Sequence, residues 1–514
     1  MSTYTKTRPI ILLKIIIFFS SSASAQVSLK EIGLHPGHYL VGFRHETAFD
    51  STRLYKRSGD WNNLSIPRPI PLSVWYPADL STVKTSPVKV LEYMKVLKEE
   101  EEWEYLPDDR ILDWFSYSNT ANNRAHLNEN SQAYKGVPAT KGKFPVIIYA
   151  ASYQASSIEN FALCELLASH GYLVIASPSR GTETRMMGAG TEKDMDTQAR
   201  DIEYLIARCS YYPSADDSKI ATMGFSFGGL SNVLSQIRNA KIKAIVSLDG
   251  SIRYQYATLK KSAYANIEKM DVPFLHMAQK DIPAPVLAED KLDSALNNKF
   301  EFYDDLIYSE AYSFKFHHMT HAYFSTLGVL FQERDKRQDK SDQEIMTSYR
   351  WTAIYALNFL NAYLMGDKKS LAFIQADPTA NGVSQGLISQ RYKAAKATTF
   401  SFEDFNELAA AQEYSGLQTL YKALVAKHPE FKPDEGKFNN LGLQLLFNKK
   451  TSQHGVNVLL LGTSLYPASA NLFDSLAEGY LFTSQKSLAK KAFQTSLKLD
   501  PRNENAIHKL KELK

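Results

Sequence analysis

Lys219-Ile220-Ala221-Thr222-Met223-Gly224-Phe225-Ser226-Phe227-Gly228-Gly229-Leu230-Ser231 decides the fold. A short apolar run ends in a Gly-x-Ser-x-Gly turn and continues into a helix-like segment. That order is the one a nucleophile elbow needs, with a serine held on a tight strand-to-helix turn in a strained backbone conformation. The flanking glycines leave room where a side chain would strike the neighbouring strand and helix. Ser226 is therefore the first candidate for a nucleophile. The bare motif also occurs as a glycine-rich turn whose serine only caps a helix, so its surroundings must decide.

Upstream, residues 69–76 alternate like an edge strand, and residues 145–150 are continuously apolar like a buried one. A helix-like run over 160–170 and a second buried strand over 172–176 follow. Asp196 is a candidate N-cap for an amphipathic stretch over 197–209 that leads into the elbow strand. Downstream, residues 244–248 and 273–277 read as further strands. This alternation predicts an α/β fold, a doubly wound and mostly parallel sheet flanked by helices. Residues 91–142 interrupt it with an acidic, aromatic stretch that includes Glu99-Glu100-Glu101-Glu102-Trp103. That insertion reads either as a solvated surface excursion or as a lid over the site.

The 514 residues are too many for one ordinary domain, and a net charge of +4 with both signs interspersed lacks the footprint of a nucleic-acid partner. Lys6 and Arg8, an apolar run from Ile10 to Phe19 and the small residues Ala23-Ser24-Ala25 have the layout of a cleaved signal peptide over 1–25. The expected location is thus secreted or periplasmic, with a mature chain from Gln26 and no later membrane span. A short uncleaved anchor is the other reading of that segment. Cys164 and Cys209 could form one disulfide by number, but two buried free thiols are expected.

The strand-and-helix pattern runs over 26–367 and closes with a helix-like segment over 342–364. Residues 368–400, with Pro378, Gly382 and Gly386, read as a linker. Beyond it, 401–514 is helix-patterned and repetitive. Leu465-Tyr466-Pro467 and Leu499-Asp500-Pro501 stand 34 residues apart, and Lys427-His428-Pro429 marks an earlier unit. A period of that size closed by proline resembles the tetratricopeptide repeat, an all-α array whose units stack and often hold a protein partner.

A serine hydroxyl needs an imidazole to take its proton and an acid to orient that imidazole. Asp249 stands where the strand after the elbow ends, at the carboxyl edge of the sheet, and Asp281 is the rival acid. Of the histidines that follow, His276 lies inside a strand and reads as packed, while His317, His318 and His321 cluster in one loop. The cluster lacks a carboxylate at ligand spacing, so no metal is assigned, and no cofactor either. Gly188-Ala189-Gly190 lacks the lysine of a phosphate loop and reads as a turn.

Pro71-Leu72-Ser73-Val74-Trp75-Tyr76-Pro77, Leu167-Ala168-Ser169-His170-Gly171-Tyr172, Gly224-Phe225-Ser226-Phe227-Gly228-Gly229, Ser247-Leu248-Asp249-Gly250 and His321-Ala322-Tyr323-Phe324 together resemble platelet-activating factor acetylhydrolase and the dienelactone-hydrolase-like esterases. The resemblance covers roughly residues 65–365 and implies an α/β-hydrolase. In that family the acid ends the strand after the elbow helix and the histidine opens a His-x-x-Phe motif. This selects Asp249 and His321 beside Ser226, with short acyl esters as substrates. The amide of Phe227, next after the nucleophile, is one oxyanion donor. The second comes from Tyr153, although Ala151-Ser152-Tyr153 replaces the family's His-Gly pair. The alternatives are an inert hydrolase fold serving a partner-binding repeat domain, and a serine peptidase on the same machinery.

Overall fold

The computed structural model describes residues 27–79, 86–334, 337–396 and 400–513. The signal segment expected over 1–25 lies outside them. The chain divides into two compact units, Met1–Lys396 and Ala397–Lys514.

The first unit is built on one ten-stranded sheet: β1 Leu40–Tyr55, β2 Ile66–Ala78, β3 Ala133–Lys135, β4 Phe144–Ala150, β5 Leu173–Ser177, β6 Ala215–Phe225, β7 Ile242–Leu248, β8 Phe274–Ala278, β9 Ala311–Phe316 and β10 Ile388–Lys393. Their order across the sheet is β10-β9-β8-β7-β6-β4-β5-β2-β1-β3. From β5 through β4, β6, β7 and β8 to β9 every neighbour is parallel, while β2 and β10 pair antiparallel at either end of that block. The continuous apolar runs follow from coverage on both faces. Val146 and Ile148 pack with the helices Glu192–Arg208 and Phe227–Arg238, whereas Ile147 and Tyr149 pack with Phe161–Ser169 and Asp342–Leu364 on the other side. This is the α/β-hydrolase architecture, and it sets the elbow at the carboxyl end of the central strand β6.

Four expectations are corrected. β2 is interior, not an edge, since it runs between β1 and β5. Its prolines are tolerated because β5 pairs only with Ser73–Trp75, so Pro67, Pro69 and Pro71 lie where β1 alone flanks the strand. The helix before the elbow strand starts at Glu192, capped by Thr191 in a reciprocal box with Asp194, which leaves Asp196 inside it. Of the expected linker over 368–400, residues 368–396 belong to the first unit. They form the helix Lys368–Gln375 and the strand β10, with Ile374, Val383 and Leu387 in the core. Gly382 and Gly386, at φ 85° and 79°, make the turns that bring the chain back to β9. Finally, the acidic run is not a solvated face. Glu100, 2% exposed, ends the helix Val90–Glu100 and accepts from the Ser156 hydroxyl and the Ser157 amide and hydroxyl. Glu102 accepts from Tyr55 Oη and the Ser58 amide, each at 2.7 Å.

The second unit is all helical: Phe402–Ala411, Leu417–Lys427, Glu435–Leu446, Ser452–Leu465, Ala470–Phe482, Lys486–Leu499 and Glu504–Glu512. The second, fourth and sixth helices each end just before Pro429, Pro467 or Pro501, the prolines that set the sequence period. Phe405, Phe438, Leu459 and Leu472 form its main core, and Ala477, Ala489, Phe493 and Ala506 a smaller one. Among the described residues no helix is long and apolar enough to cross a membrane. Cys164 and Cys209 are free and buried.

Candidate active site

Ser226 joins β6 to the helix Phe227–Arg238 with φ 52° and ψ −118°, a strained conformation for a residue with a side chain. The sharp turn is possible because Gly228 lies against β4; a Cβ there would fall 2.0 Å from the Ala150 carbonyl oxygen. The elbow is tied to the end of β7. The Ser226 amide donates to the Leu248 carbonyl at 3.1 Å, and the Ser226 carbonyl accepts from the Ser251 amide at 2.7 Å. The residue after Leu248 is therefore delivered beside the serine, and that residue is Asp249.

His321 opens a single 3-10 turn, His321–Phe324, in the loop after β9. Its Nε2 is 2.9 Å from Ser226 Oγ and its Nδ1 is 2.6 Å from Asp249 Oδ2. The structure thus brings together the serine, histidine and acid picked out in the sequence. Asp249 is fully buried, itself at φ 38°, and also accepts from Tyr254 Oη at 2.9 Å and the Gln279 amide at 3.0 Å. Burial alone would raise its pKa. The hydrogen bond and charge of His321, with Arg253 and His276, outweigh that and hold the carboxyl below its ordinary range. Gln279 holds both the acid and the histidine, since its Oε1 also accepts from the His321 amide at 3.0 Å, and its Nε2 donates to Tyr254 Oη at 2.9 Å.

The other candidates point elsewhere. Asp281 faces solvent and pairs with Lys315 Nζ at 2.6 Å. His276 is buried in β8, meets Ser247 Oγ at 3.0 Å, and is driven by burial down to about 3. His317 meets Ser389 Oγ at 2.9 Å and His318 lies 3.6 Å from Glu344, so the three clustered histidines face three different partners. Among the described residues no group of three or more His, Cys, Asp and Glu is placed to hold a metal ion.

Phe227 is the first residue of its helix, so its amide has no acceptor within that helix. Tyr153 stands across from it, the two rings edge-on at 6.1 Å. The preceding residue is anchored by a group that sequence reasoning missed: Glu159 accepts from the Ser152 amide at 2.8 Å, the Ser152 hydroxyl at 2.7 Å and Tyr149 Oη at 2.9 Å. Burial pushes the Glu159 carboxyl up to about 7, against the opposing pull of the Ser152 and Tyr149 hydrogen bonds and His321. Tyr254 and Gln279 were missed as well. Gln279 directly follows β8, two residues before the rival acid Asp281, and that sheet-edge position was the one available signal. Nothing in the sequence marks Tyr254.

Two cavities meet at His321. One, of about 470 Å³, contains Ser226 and is walled in part by Leu97, Glu101, Phe115 and Tyr117 from the insertion at 91–142. The other, of about 480 Å³, lies on the Gln279 side, with Ile282, Val286 and Leu292 on its wall. An ester carbonyl at Ser226 Oγ could send one half into each.

Residues 131–326 match the dienelactone hydrolase family, a stretch that holds Ser226, Asp249 and His321. Among solved structures, a ferulic acid esterase from Streptomyces cinnamoneus is similar at 15% identity, over 70% of this chain and 98% of that one, with a TM-score of 0.47. No curated protein matches in sequence. The family match and the architecture make the first unit an α/β-hydrolase.

Proposed function

We propose that the protein is a serine hydrolase of carboxylic esters that works through an acyl-enzyme. His321 Nε2 takes the proton of Ser226 Oγ as the oxygen attacks the ester carbonyl, and Asp249 holds His321 in the tautomer this requires. The amides of Phe227 and Tyr153 receive the developing oxyanion. His321 returns the proton to the departing alkoxide, and water attacks the acyl-enzyme by the same relay to release the acid. The observation that carries this reading is the unbroken chain from Ser226 Oγ through His321 to buried Asp249, at 2.9 Å and 2.6 Å.

The resemblance favours short acyl groups, and a cavity of about 470 Å³ accepts these and larger ones. The test is hydrolysis of p-nitrophenyl esters of increasing chain length beside Ser226→Ala. Turnover that falls to background in the variant supports the reading, and turnover that survives it refutes the nucleophile.

Export through the leader over 1–25 is part of the proposal, checked by a mature N-terminus at Gln26 in the secreted or periplasmic fraction. The second unit is proposed to hold an extended protein segment as tetratricopeptide-like repeats do. Removal of residues 400–514 that spares ester turnover but abolishes this binding would separate the two jobs.

A further inference from the structure

On the β8–β9–β10 side of the hydrolase unit lies a separate cavity of about 200 Å³ that none of Ser226, Asp249 and His321 lines. Arg253, Lys299, Lys315 and Arg391 contribute to its wall, together with Ser389 and Gln390, and no carboxylate does. Two of the four cations have acidic partners outside the wall: Lys315 binds Asp281 at 2.6 Å and Arg391 binds Asp304 at 2.9 Å. Lys299 has no side-chain hydrogen bond or ion pair among the described residues. Arg253 is only 6% exposed. Its Nη2 donates to the Leu296 carbonyl at 2.6 Å, yet its Nη1 is buried with no partner, and Gln390 Oε1 on the same wall is orphaned too.

A buried guanidinium N–H without an acceptor is costly, and native structures leave such groups only where something else completes them. Here two orphaned groups and two cations without an ion-pair partner among the described residues line one small cavity. A guanidinium fork beside an ammonium is the pairing that a tetrahedral oxyanion satisfies best, through charge-assisted bonds to several oxygens. The glutamine amide can turn to offer its NH2 to the same ligand.

We propose that this cavity is a binding site for a phosphate-type oxyanion, held by Arg253 and Lys299 and supported by Lys315 and Arg391. None of Ser226, Asp249 and His321 lines the site, while the Arg253 charge also acts on Asp249, so binding is measured without turnover. The full chain from Gln26 onward would be titrated calorimetrically with inorganic phosphate and with glycerol phosphate at constant ionic strength. Saturable binding at a single site is expected. A preference for the ester over the free ion marks a phosphorylated small molecule as ligand, and the reverse marks phosphate itself. Arg253→Met should weaken binding by tenfold or more, the loss of hydrogen bonds to a charged group. Because Arg253 is buried, the exposed Lys299→Met serves as the variant certain to keep the fold, with an expected loss of about three- to tenfold. No saturable binding of either probe by the wild type would overturn the proposal. So would binding by Lys299→Met and a folded Arg253→Met at wild-type strength.

Discussion

Glu159→Gln should make the hydrolase unit more resistant to unfolding at alkaline pH relative to the native protein. Glu159 is fully buried, and burial lifts its pKa from 4.5 to about 7. The folded state therefore keeps a proton that the unfolded chain gives up. Below pH 4.5 both states are protonated and the group adds nothing. As pH rises from 4.5 to about 7 the unfolded state ionises first, so stability falls by up to about 1.4 kcal/mol per pH unit, and above 7 the loss levels off. Over the whole window this comes to about 3 kcal/mol, of which roughly 2–3 kcal/mol falls between pH 5 and 8. Glutamine has the same shape, keeps one acceptor for the Ser152 amide and never ionises. All five tryptophans lie in the first unit, so urea unfolding followed by their fluorescence reports on that unit without the helical one. The difference in unfolding free energy between the two proteins at pH 5, 6, 7 and 8 cancels the titrations they share. A difference that stays flat across that range would refute the argument.

Asp249→Asn presents an amide where His321 Nδ1 needs an acceptor, and kcat should drop by about 10⁴ in an ester assay while the circular dichroism spectrum is unchanged. Gly228→Ala places a methyl 2.0 Å from the Ala150 carbonyl. With backbone on both sides of the clash, it should cost more than about 4 kcal/mol in urea unfolding or abolish soluble expression. Phe115→Ala and Tyr117→Ala remove wall from the cavity that holds Ser226. Each should move the preferred acyl chain of p-nitrophenyl esters to greater length, and an unmoved optimum would place the acyl group elsewhere.

The parts of the fold legible in the sequence were those with a local cause. A glycine-flanked serine after an apolar run, and apolar stretches too continuous for a one-sided sheet, are properties of neighbouring residues, and β4 to β8 follow from them. The 16-residue β1 was missed because it alternates weakly, with Arg44, His45, Glu46 and Asp50 among its residues. The same holds for β10, whose Gln390, Arg391 and Lys393 read as loop. Its place is fixed by pairing with β9, a contact that local pattern does not encode. The acidic run misled for a related reason: Glu100 and Glu102 look solvated until Ser156, Ser157, Tyr55 and Ser58 supply their donors. Within the site, the family resemblance and not the local pattern separated His321 from its neighbours. Tyr254 and Gln279 meet the relay, and Glu159 the Ser152 amide and hydroxyl, through contacts that no local pattern encodes.

The central claim is that Ser226 is an activated nucleophile, and an active-site-directed fluorophosphonate tests it without any guess at the natural substrate. The protein would be labelled at neutral pH and the adduct mapped by peptide mass spectrometry, with Ser226→Ala and His321→Ala alongside. The account predicts one adduct, on the peptide carrying Ser226, absent from the alanine variant and formed far more slowly without His321. An unlabelled Ser226 in protein that still hydrolyses esters, or labelling as fast without His321 as with it, would contradict the account.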